Sequence, residues 1–293
     1  MKHAYLILAH TDFEVLKLLV ARLDDPRNDI FVHFDKKVAE IPEMQTTHSG
    51  LTILENRIDV RWGAPSMVEA EYELFRAAVS SGPYQYYHLL SGVDLPLKSQ
   101  DYIHDFLSSH EGEEFIGYTW TQMPPGFRRK VQCWNLFAED FKSKSLIKRA
   151  LRAGFLRTQE WLGLWRNRDV DFKKGSQWVS VTDGMARYFI EHINWVRKTF
   201  RATFCCDELV MQTLCWRSPY RENIHSLASD GEGCMREIGW RETPGKAEWV
   251  LRDWSSADYE FLKSSPALFA RKFNSGDSGF LQKICELAAR DEI

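Results

Sequence analysis

Two adjacent cations near the end of the sequence are candidates for phosphate chemistry. Arg271 and Lys272 lie between apolar residues in the stretch LFARKF (268–273). Together they can neutralise a departing diphosphate, because arginine offers two parallel hydrogen bonds and lysine a point charge. The apolar residues on both sides would hold the cations in place. The same pattern also fits two surface charges on a helix or strand, so it does not identify a site by itself.

Two adjacent carboxylates open the stretch DELVMQTL (207–214). The sequence predicts a helix that begins near Asp207, with both acids in its first turn. At that position Glu208 is well placed to act as a general base, and Asp207 to cap the helix. The alternative is that both acids only stabilise the helix N-terminus.

The stretch GSQW (175–178) combines small residues with an aromatic ring. Gly175 and Ser176 allow a ligand or another backbone to approach closely. Trp178 has a flat apolar face on which a sugar ring can stack. The alternative is a core tryptophan on the strand that we predict for GSQWVSVT (175–182).

A metal-binding Asp-x-Asp pattern occurs at Asp169 and Asp171. Carboxylates at this spacing hold a divalent cation in many enzymes that use nucleotide sugars. Here the pair lies in a basic, loop-like region and does not follow a sheet strand. We therefore predict a solvated pair and expect no metal cofactor.

Alternating strand and helix patterns place these candidates on an α/β scaffold. The first 120 residues read as a βαβ layer with a mostly parallel sheet flanked by helices. We predict strands over 4–10, 29–35, 51–55, the end of 84–92 and 113–118, with helices over 12–23 and 66–81 and a turn and helix from residue 94. In such sheets ligands bind at the carboxyl ends of strands, where His10, Asp35 and Asp94 lie. Asp35 can accept hydrogen bonds from a base or ribose, although the sequence alone favours an N-cap or turn aspartate.

Composition narrows the function classes. The net charge of −3 over 293 residues does not favour nucleic acid as a partner. The exit from the first strand lacks the glycine patterns of dinucleotide sites and P-loops. The six cysteines show no CxxC spacing and are expected to be reduced thiols. With no export signal or membrane span predicted, we expect a cytoplasmic protein.

The segment 121–174 differs from the rest because it is cationic, with interspersed leucines and tryptophans. One interpretation is a surface helix pair with solvated charges. The other is an amphipathic patch, residues 142–168, that rests on the anionic inner face of a membrane. The sequence leaves both open.

The order of these pieces resembles the Core-2/I-branching family of glycosyltransferases, which includes branching N-acetylglucosaminyltransferases and peptide O-xylosyltransferases. The resemblance extends over residues 3 to 275 and is weakest at 121–174. The matching stretches are AYLILAH, FVHFDKK, VRWGAPSMVEAE, HLLSGVDLPLKS, GSQWVSVT, DELVMQTL and LFARKF. Each is weak alone, but seven in the same order form a specific signal.

This resemblance implies a GT-A-like fold and an inverting, metal-independent transfer from a UDP-sugar to a glycan, with GlcNAc or xylose as the transferred sugar. The acceptor glycan can be free or lipid-linked. Matching positions imply that Glu208 is the base and that Arg271 and Lys272 hold the donor diphosphate, with Arg252 as a further phosphate cation. Asp35 and Trp62 match donor-side positions.

On the acceptor side, Gln177 and Trp178 lie where the xylosyltransferases have an Asp-Trp pair. Because Gln177 replaces the aspartate, this position lacks the negative charge that the xylosyltransferases have. We expect one domain, with a donor-binding half (1–120), a basic insertion (121–174) and an acceptor and catalytic half (175–293). Two other functions stay open, a non-catalytic glycan-binding protein on this scaffold and a glycoside hydrolase.

Overall fold

A computed structural model describes residues 1–124, 126–140, 143–242 and 249–289. Its strands are β1 (His3–Ala9), β2 (Asn28–Phe34), β3 (Gly50–Ile53), β4 (Tyr86–Ser91), β5 (Asp94–Pro96), β6 (Ser180–Thr182), β7 (Arg236–Ile238), β8 (Trp240–Glu242), β9 (Trp249–Leu251) and β10 (Phe269–Arg271). Its α-helices are α1 (Phe13–Leu23), α2 (Ser66–Ser81), α3 (Gln100–Ser109), α4 (Arg128–Gln132), α5 (Leu146–Trp161), α6 (Asp183–Glu191), α7 (Ile193–Phe200), α8 (Asp207–Trp216), α9 (Asp230–Cys234), α10 (Tyr259–Ser264) and α11 (Ser278–Leu287).

The main sheet has the strand order β3-β2-β1-β4-β6 and is parallel except for β6. Every residue of β1 is buried, as expected for a central strand covered on both faces. Leu6 and Leu8 belong to the core that includes α2, whereas Tyr5 and Ile7 belong to the core that includes α1. This alternation follows from the two-residue period of a strand, and it places one hydrophobic core on each side of the sheet.

The antiparallel direction of β6 decides where the stretch 175–179 lies. Ser180 pairs with His88, and the Leu89 N–H donates to the Val179 carbonyl at 2.9 Å. Because β6 runs against β4, the residues before β6 continue towards the carboxyl end of β4. The stretch GSQW therefore reaches the same edge as the ends of the parallel strands, which we call the carboxyl edge.

A second, smaller sheet brings the end of the chain to this edge. Its order is β5-β10-β7, and β10 pairs antiparallel with β5 and parallel with β7. In this register Arg271 lies opposite Asp94. The Phe273 N–H then donates to the Val93 carbonyl at 2.9 Å, so the LFARKF stretch follows the loop after β4.

Three predicted elements need correction. Residues 113–118 form no continuous strand but two isolated bridges, Glu114 to Ile224 and Phe115 to Ser180. Their backbone groups bond to different segments, and the buried Glu114 carboxylate accepts from the Thr182 N–H at 3.0 Å. The predicted strand 175–182 forms only at Ser180–Thr182, and residues 94–96, predicted as a turn, form the short strand β5.

The described cysteines are all unpaired thiols. No helix among the described residues has the length and apolar character that a membrane crossing requires. Of the predicted membrane patch 142–168, residue 142 lies outside the described residues.

Candidate functional site

The carboxyl edge gathers side chains from three strand ends. Asp35 follows β2, and its N–H donates to the Ala9 carbonyl at 2.9 Å. Its buried carboxylate accepts from the Lys37 ammonium at 2.9 Å. Burial lowers the pKa of His10, the negative charge of Asp35 opposes this effect, and the charges of Lys37 and Arg271 add to it. Since Ala9 bonds to Asp35, His10 lies next to the end of the second strand.

Arg271 is held in place by a carboxylate and an aromatic ring. Its Nε lies 3.1 Å from Asp94 Oδ1, and its guanidinium carbon lies 4.2 Å from the centre of the Trp178 ring. Asp94 is buried and also accepts from the Ser91 N–H at 2.9 Å. Burial raises the pKa of Asp94, and the charge of Arg271 opposes the rise. The guanidinium thus has a fixed position, with 14% of the side chain exposed.

The other two predicted phosphate cations lie on backbone segments next to Arg271. The Gly239 N–H donates to the Arg271 carbonyl at 2.8 Å, and the Arg252 N–H donates to the Gly239 carbonyl at 2.9 Å. A Cβ on Gly239 would lie 2.3 Å from the Arg252 carbonyl oxygen, so only glycine allows this approach. Lys272 follows Arg271 and pairs with Asp253 at 3.2 Å. The backbone segments that carry Arg252, Arg271 and Lys272 are therefore adjacent, and we call these three residues the cationic cluster.

Glu208 lies at the start of α8, which begins at Asp207 as predicted. The predicted capping role of Asp207 is wrong, because Cys206 is the N-cap and its side chain makes no capping hydrogen bond. One of its carboxylate oxygens lies 3.1 Å from the Lys174 ammonium, and 34% of its side chain is exposed. Its carbonyl accepts from the Gly175 N–H at 3.0 Å. This carboxylate is therefore accessible, while its backbone is tied to the GSQW stretch.

Further acids surround Glu208. One Asp207 oxygen is buried without a hydrogen-bond donor among the described residues. Burial, followed by the charge of Glu208, raises the pKa of Asp207 to about 6. Burial and the charge of Asp207 raise the pKa of Glu71 well above its usual value, and Glu71 accepts from the Gln177 amide at 2.7 Å. The residue predicted to face an acceptor, Gln177, is thus anchored on a buried acid.

Glycines let the GSQW stretch pack against its neighbours. A Cβ on Gly175 would lie 1.8 Å from the Gly117 carbonyl oxygen, and one on Gly117 would lie 2.3 Å from the Asp230 carbonyl oxygen. The Asp230 carboxylate accepts from the Ser176 N–H at 2.7 Å, and the buried Gln212 amide donates to the Ser176 carbonyl at 2.5 Å. Neither glycine can be replaced without moving backbone.

The GSQW stretch therefore connects the two predicted reactive groups. Gly175 binds the carbonyl of Glu208, and the Trp178 ring lies against Arg271. Three extended residues span at most about 10 Å. One short segment therefore keeps the anchor of the candidate base, Gly175, within about 10 Å of the anchor of the diphosphate cation, Trp178.

A family model for the Core-2/I-branching enzymes matches residues 3–271 of this chain. The chain belongs to the Core-2/I-branching enzyme family. One curated relative, an N-acetyllactosaminide β-1,6-N-acetylglucosaminyl-transferase from Homo sapiens, is 23% identical over 310 aligned positions, which cover 98% of this chain and 72% of the relative. The chain is accordingly a glycosyltransferase.

Membership in the Core-2/I-branching family agrees with the fold. The predicted mixed α/β architecture, with a mostly parallel central sheet flanked by helices, is confirmed and is consistent with a GT-A-like glycosyltransferase. The individual roles predicted for site residues, and the division of the chain into functional segments, stay predictions.

Two predicted ligand-facing aromatics of this Core-2/I-branching enzyme have opposite surroundings. Trp62 is 57% exposed, and the carbonyl of the next residue, Gly63, accepts from the Cys205 N–H at 2.8 Å, close to the start of α8. Trp178 is only 6% exposed, with Arg271 against its ring. Trp62 thus has an exposed ring on a segment attached to the residues before α8, whereas Trp178 has little exposed ring surface.

Sequence reasoning did not single out Lys174, Glu71 and Asp230. Lys174 directly precedes the GSQW stretch, so its position was a signal for an interaction with Glu208. Glu71 is buried, and Asp230 accepts from the Ser176 N–H; short motifs reveal neither arrangement. The Asp-x-Asp pair is exposed, and Asp171 pairs with Lys173 at 2.5 Å.

Proposed function

We propose that this glycosyltransferase moves a sugar from a UDP-sugar to a glycan hydroxyl, with inversion and without a metal ion. The observation that carries the proposal is the GSQW connection, which fixes a solvent-accessible carboxylate, Glu208, relative to a partly exposed guanidinium, Arg271. A base and a cation at a fixed separation are what a single in-line displacement needs.

In this mechanism the acceptor hydroxyl attacks the anomeric carbon while Glu208 takes its proton. The new C–O bond forms as the bond from the anomeric carbon to the diphosphate oxygen breaks, and UDP leaves with that electron pair. An α-linked donor then gives a β-linked product. No covalent intermediate is needed, so one base suffices.

The cationic cluster stabilises the leaving diphosphate. Arg271 is positioned by Asp94 and Trp178 and needs little reorganisation when charge develops. Lys272 and Arg252 add charge from adjacent backbone segments. These groups replace the divalent ion that related chemistry often uses.

We assign the donor nucleotide to the strand ends that carry His10 and Asp35, with Trp62 between donor and acceptor. Gln177 and Asp207 then face the acceptor from the other side of Glu208. GlcNAc is the favoured sugar, because the human relative is named for its transfer. Xylose is the other candidate.

The test is UDP release with the purified enzyme and glycan acceptors, in EDTA and in Mn²⁺. We expect UDP release from UDP-GlcNAc, dependent on acceptor, to continue in excess EDTA. A strict Mn²⁺ requirement would refute metal independence and direct attention to Asp169 and Asp171. Release of free sugar in the absence of a nucleotide donor would instead support a hydrolase.

We also propose that α5 rests on an anionic membrane, where a lipid-linked acceptor would be presented. Gln159 is the one buried residue of this 16-residue helix. Large apolar side chains on and after it face solvent, including Leu146 at 77% and Trp161 at 84% exposure. The cations Arg149 and Arg157 on the same helix are also exposed, and they complement anionic headgroups.

Vesicle co-sedimentation tests this contact. We expect binding to vesicles that contain phosphatidylglycerol, weaker binding to pure phosphatidylcholine, and loss of binding when Leu146 and Ile147 are both changed to serine. Leu227→Ser, at a half-exposed leucine outside α5, is the control. Equal sedimentation of the double variant and the wild type would refute the proposal. Concentration-dependent dimerisation abolished by the same double change would assign the face to a second copy of the chain.

A further inference from the structure

A group of potential metal ligands lies away from the transfer site. His110, Glu113 and His225 each offer a ligand atom within 4.8 Å of the others. Glu113 belongs to the turn after α3, and its carboxylate lies 2.6 Å from His225 Nδ1. The three side chains come from two segments that are far apart in sequence, and all three are partly exposed.

The backbone around these side chains is fixed. The buried Tyr86 hydroxyl donates to the carbonyls of His110 and Glu113, at 2.7 and 3.1 Å. The His225 N–H donates to the Glu114 carbonyl at 3.0 Å. The ligand-bearing turn and the His225 segment are therefore attached to each other and to the first residue of β4, without any ion.

The ring of His110 is held in a tautomer that can ligate a metal. Its Nδ1 lies 2.8 Å from the Phe106 carbonyl, which can only accept, so Nδ1 carries the proton and Nε2 the lone pair. A backbone carbonyl that orients a histidine in this way is the common outer partner of a metal ligand. The Phe106 and Phe115 rings lie 4.4 and 4.5 Å from the His110 and His225 rings and limit their rotation.

We propose that His110, Glu113 and His225 bind a divalent first-row transition metal, with Zn²⁺ as the best-fitting ion. Two imidazoles and one carboxylate match the ligand preference of such ions and exclude Ca²⁺ and Mg²⁺ as preferred occupants. Solvent takes the fourth position. Glu113 accepts from the protonated Nδ1 of His225, so metal binding breaks this hydrogen bond and moves the proton from Nδ1 to Nε2. Two coordinate bonds to the metal, one from Nδ1 and one from the carboxylate, replace it.

The site has a structural role because of its place in the fold. Tyr86 begins β4, so the ligands lie at the opposite end of the main sheet from His10, Asp35 and the cationic cluster. The metal connects the end of α3 to the segment that follows α8. It stabilises the fold and takes no part in sugar transfer, so this inference does not rest on the proposed mechanism.

The experiment measures Zn²⁺ binding to untagged protein by titration and by thermal shift. We expect one equivalent to bind and to raise the melting temperature. Loss of an outer partner of a metal ligand costs about 10- to 100-fold in affinity, so loss of a ligand should cost about 100-fold or more. Glu113→Gln keeps the side-chain shape, and His225→Phe keeps the ring packing, so both variants should fold and bind weakly.

His48→Ala, at an exposed histidine elsewhere, should bind Zn²⁺ as the wild type does. X-ray absorption should show nitrogen and oxygen ligands. Absence of stoichiometric binding, unchanged binding by Glu113→Gln and His225→Phe, or sulfur ligands from the cysteines would each overturn the proposal. Chelation should lower the melting temperature without stopping UDP release at moderate temperature, which separates this site from the transfer reaction.

Discussion

The two sides of the candidate site differ in how their charges are balanced. On the phosphate side, Arg271 is paired with the buried Asp94 and covered by Trp178. On the acceptor side, Asp207 lies beside Glu208, and one of its buried oxygens has no donor among the described residues. The first arrangement is complete before any ligand binds, whereas in the second Glu208 pairs with Lys174 and Asp207 keeps a buried oxygen without a donor among the described residues.

This difference assigns stabilisation of the leaving group to the phosphate side and binding of the acceptor to the acid-rich side. A preassembled cation stabilises the leaving group with little reorganisation. Crowded acids cost folding stability, but a ligand that donates hydrogen bonds relieves that cost. An acceptor sugar carries several hydroxyl donors, so the acid-rich side suits it. The predictions below test this contrast in order of expected effect.

Glu208→Gln should have the largest effect. Removal of a general base typically costs about 100- to 10,000-fold, and we expect about a 1,000-fold loss in kcat with UDP affinity unchanged. Steady-state UDP release and calorimetric UDP binding measure the two quantities. Glu222→Gln, at a side chain that is 89% exposed, is the control. Near-normal turnover of Glu208→Gln would remove it as the base.

Arg271→Met should destabilise the protein because it leaves the Asp94 carboxylate buried and unpaired. Breaking a buried pair typically costs about 3–5 kcal/mol, and since Arg271 is partly exposed we expect about 3 kcal/mol from urea unfolding. The double variant with Asp94→Asn should recover much of this loss. An equal loss in the single and double variants would show that Arg271 does not compensate the charge of Asp94.

Lys272→Ala should weaken transfer with little effect on stability, because its pair with Asp253 is more than one-third exposed. Loss of one electrostatic partner of the leaving group predicts about a 100-fold lower kcat/KM and weaker UDP binding. Lys263→Ala removes the same charge from the exposed surface of α10 and serves as the control. Unchanged UDP affinity would detach this lysine from the diphosphate.

Asp207→Asn should have the smallest effect, and it should be stabilising. The folded-state pKa of Asp207 is about 6, above the usual 3.8, so the folded protein holds this proton more tightly. That contribution favours folding below about pH 4 and is lost as the pH rises through 6. Asparagine removes the ionisation, and we expect a gain of about 1 kcal/mol at pH 7–8 that disappears near pH 4.

The melting temperatures of Asp207→Asn and of the wild type are measured from pH 4 to pH 8. Because the two proteins differ only at residue 207, the pH dependence of their difference in melting temperature reports Asp207 and not the other buried acids. A stability difference that does not change with pH would mean that burial of the Asp207 charge carries no cost. That result would weaken the contrast between the two sides.

The sequence predicted the scaffold well because its signals are local. The buried strand β1 and the helix α2 appear in the periodicity of single stretches, and α2 spans Ser66–Ser81 as predicted. The segment 113–118 failed because an apolar run shows burial but not the partner of each backbone group. The two short bridges of Glu114 and Phe115 depend on residues far along the chain.

The sequence indicated where the site lies more clearly than which of its side chains contact each other. The strand-end rule placed His10, Asp35 and Asp94 at the carboxyl edge, and the family resemblance pointed to Arg271 and Glu208. The pairing of Asp94 with Arg271 needed the register of β5 and β10, which spans 177 residues. Likewise, the burial of Glu71 against Gln177 depends on a helix and a loop that no short motif connects.

The contact between Gly175 and Gly117 has a consequence for engineering. A methyl group at residue 175 would overlap a carbonyl oxygen, so alanine there should misplace the whole loop. Libraries that aim to change acceptor choice should therefore keep both glycines and vary residues 62 and 177. Variants with a new acceptor preference would then keep the folded GSQW loop and would not be lost among misfolded clones.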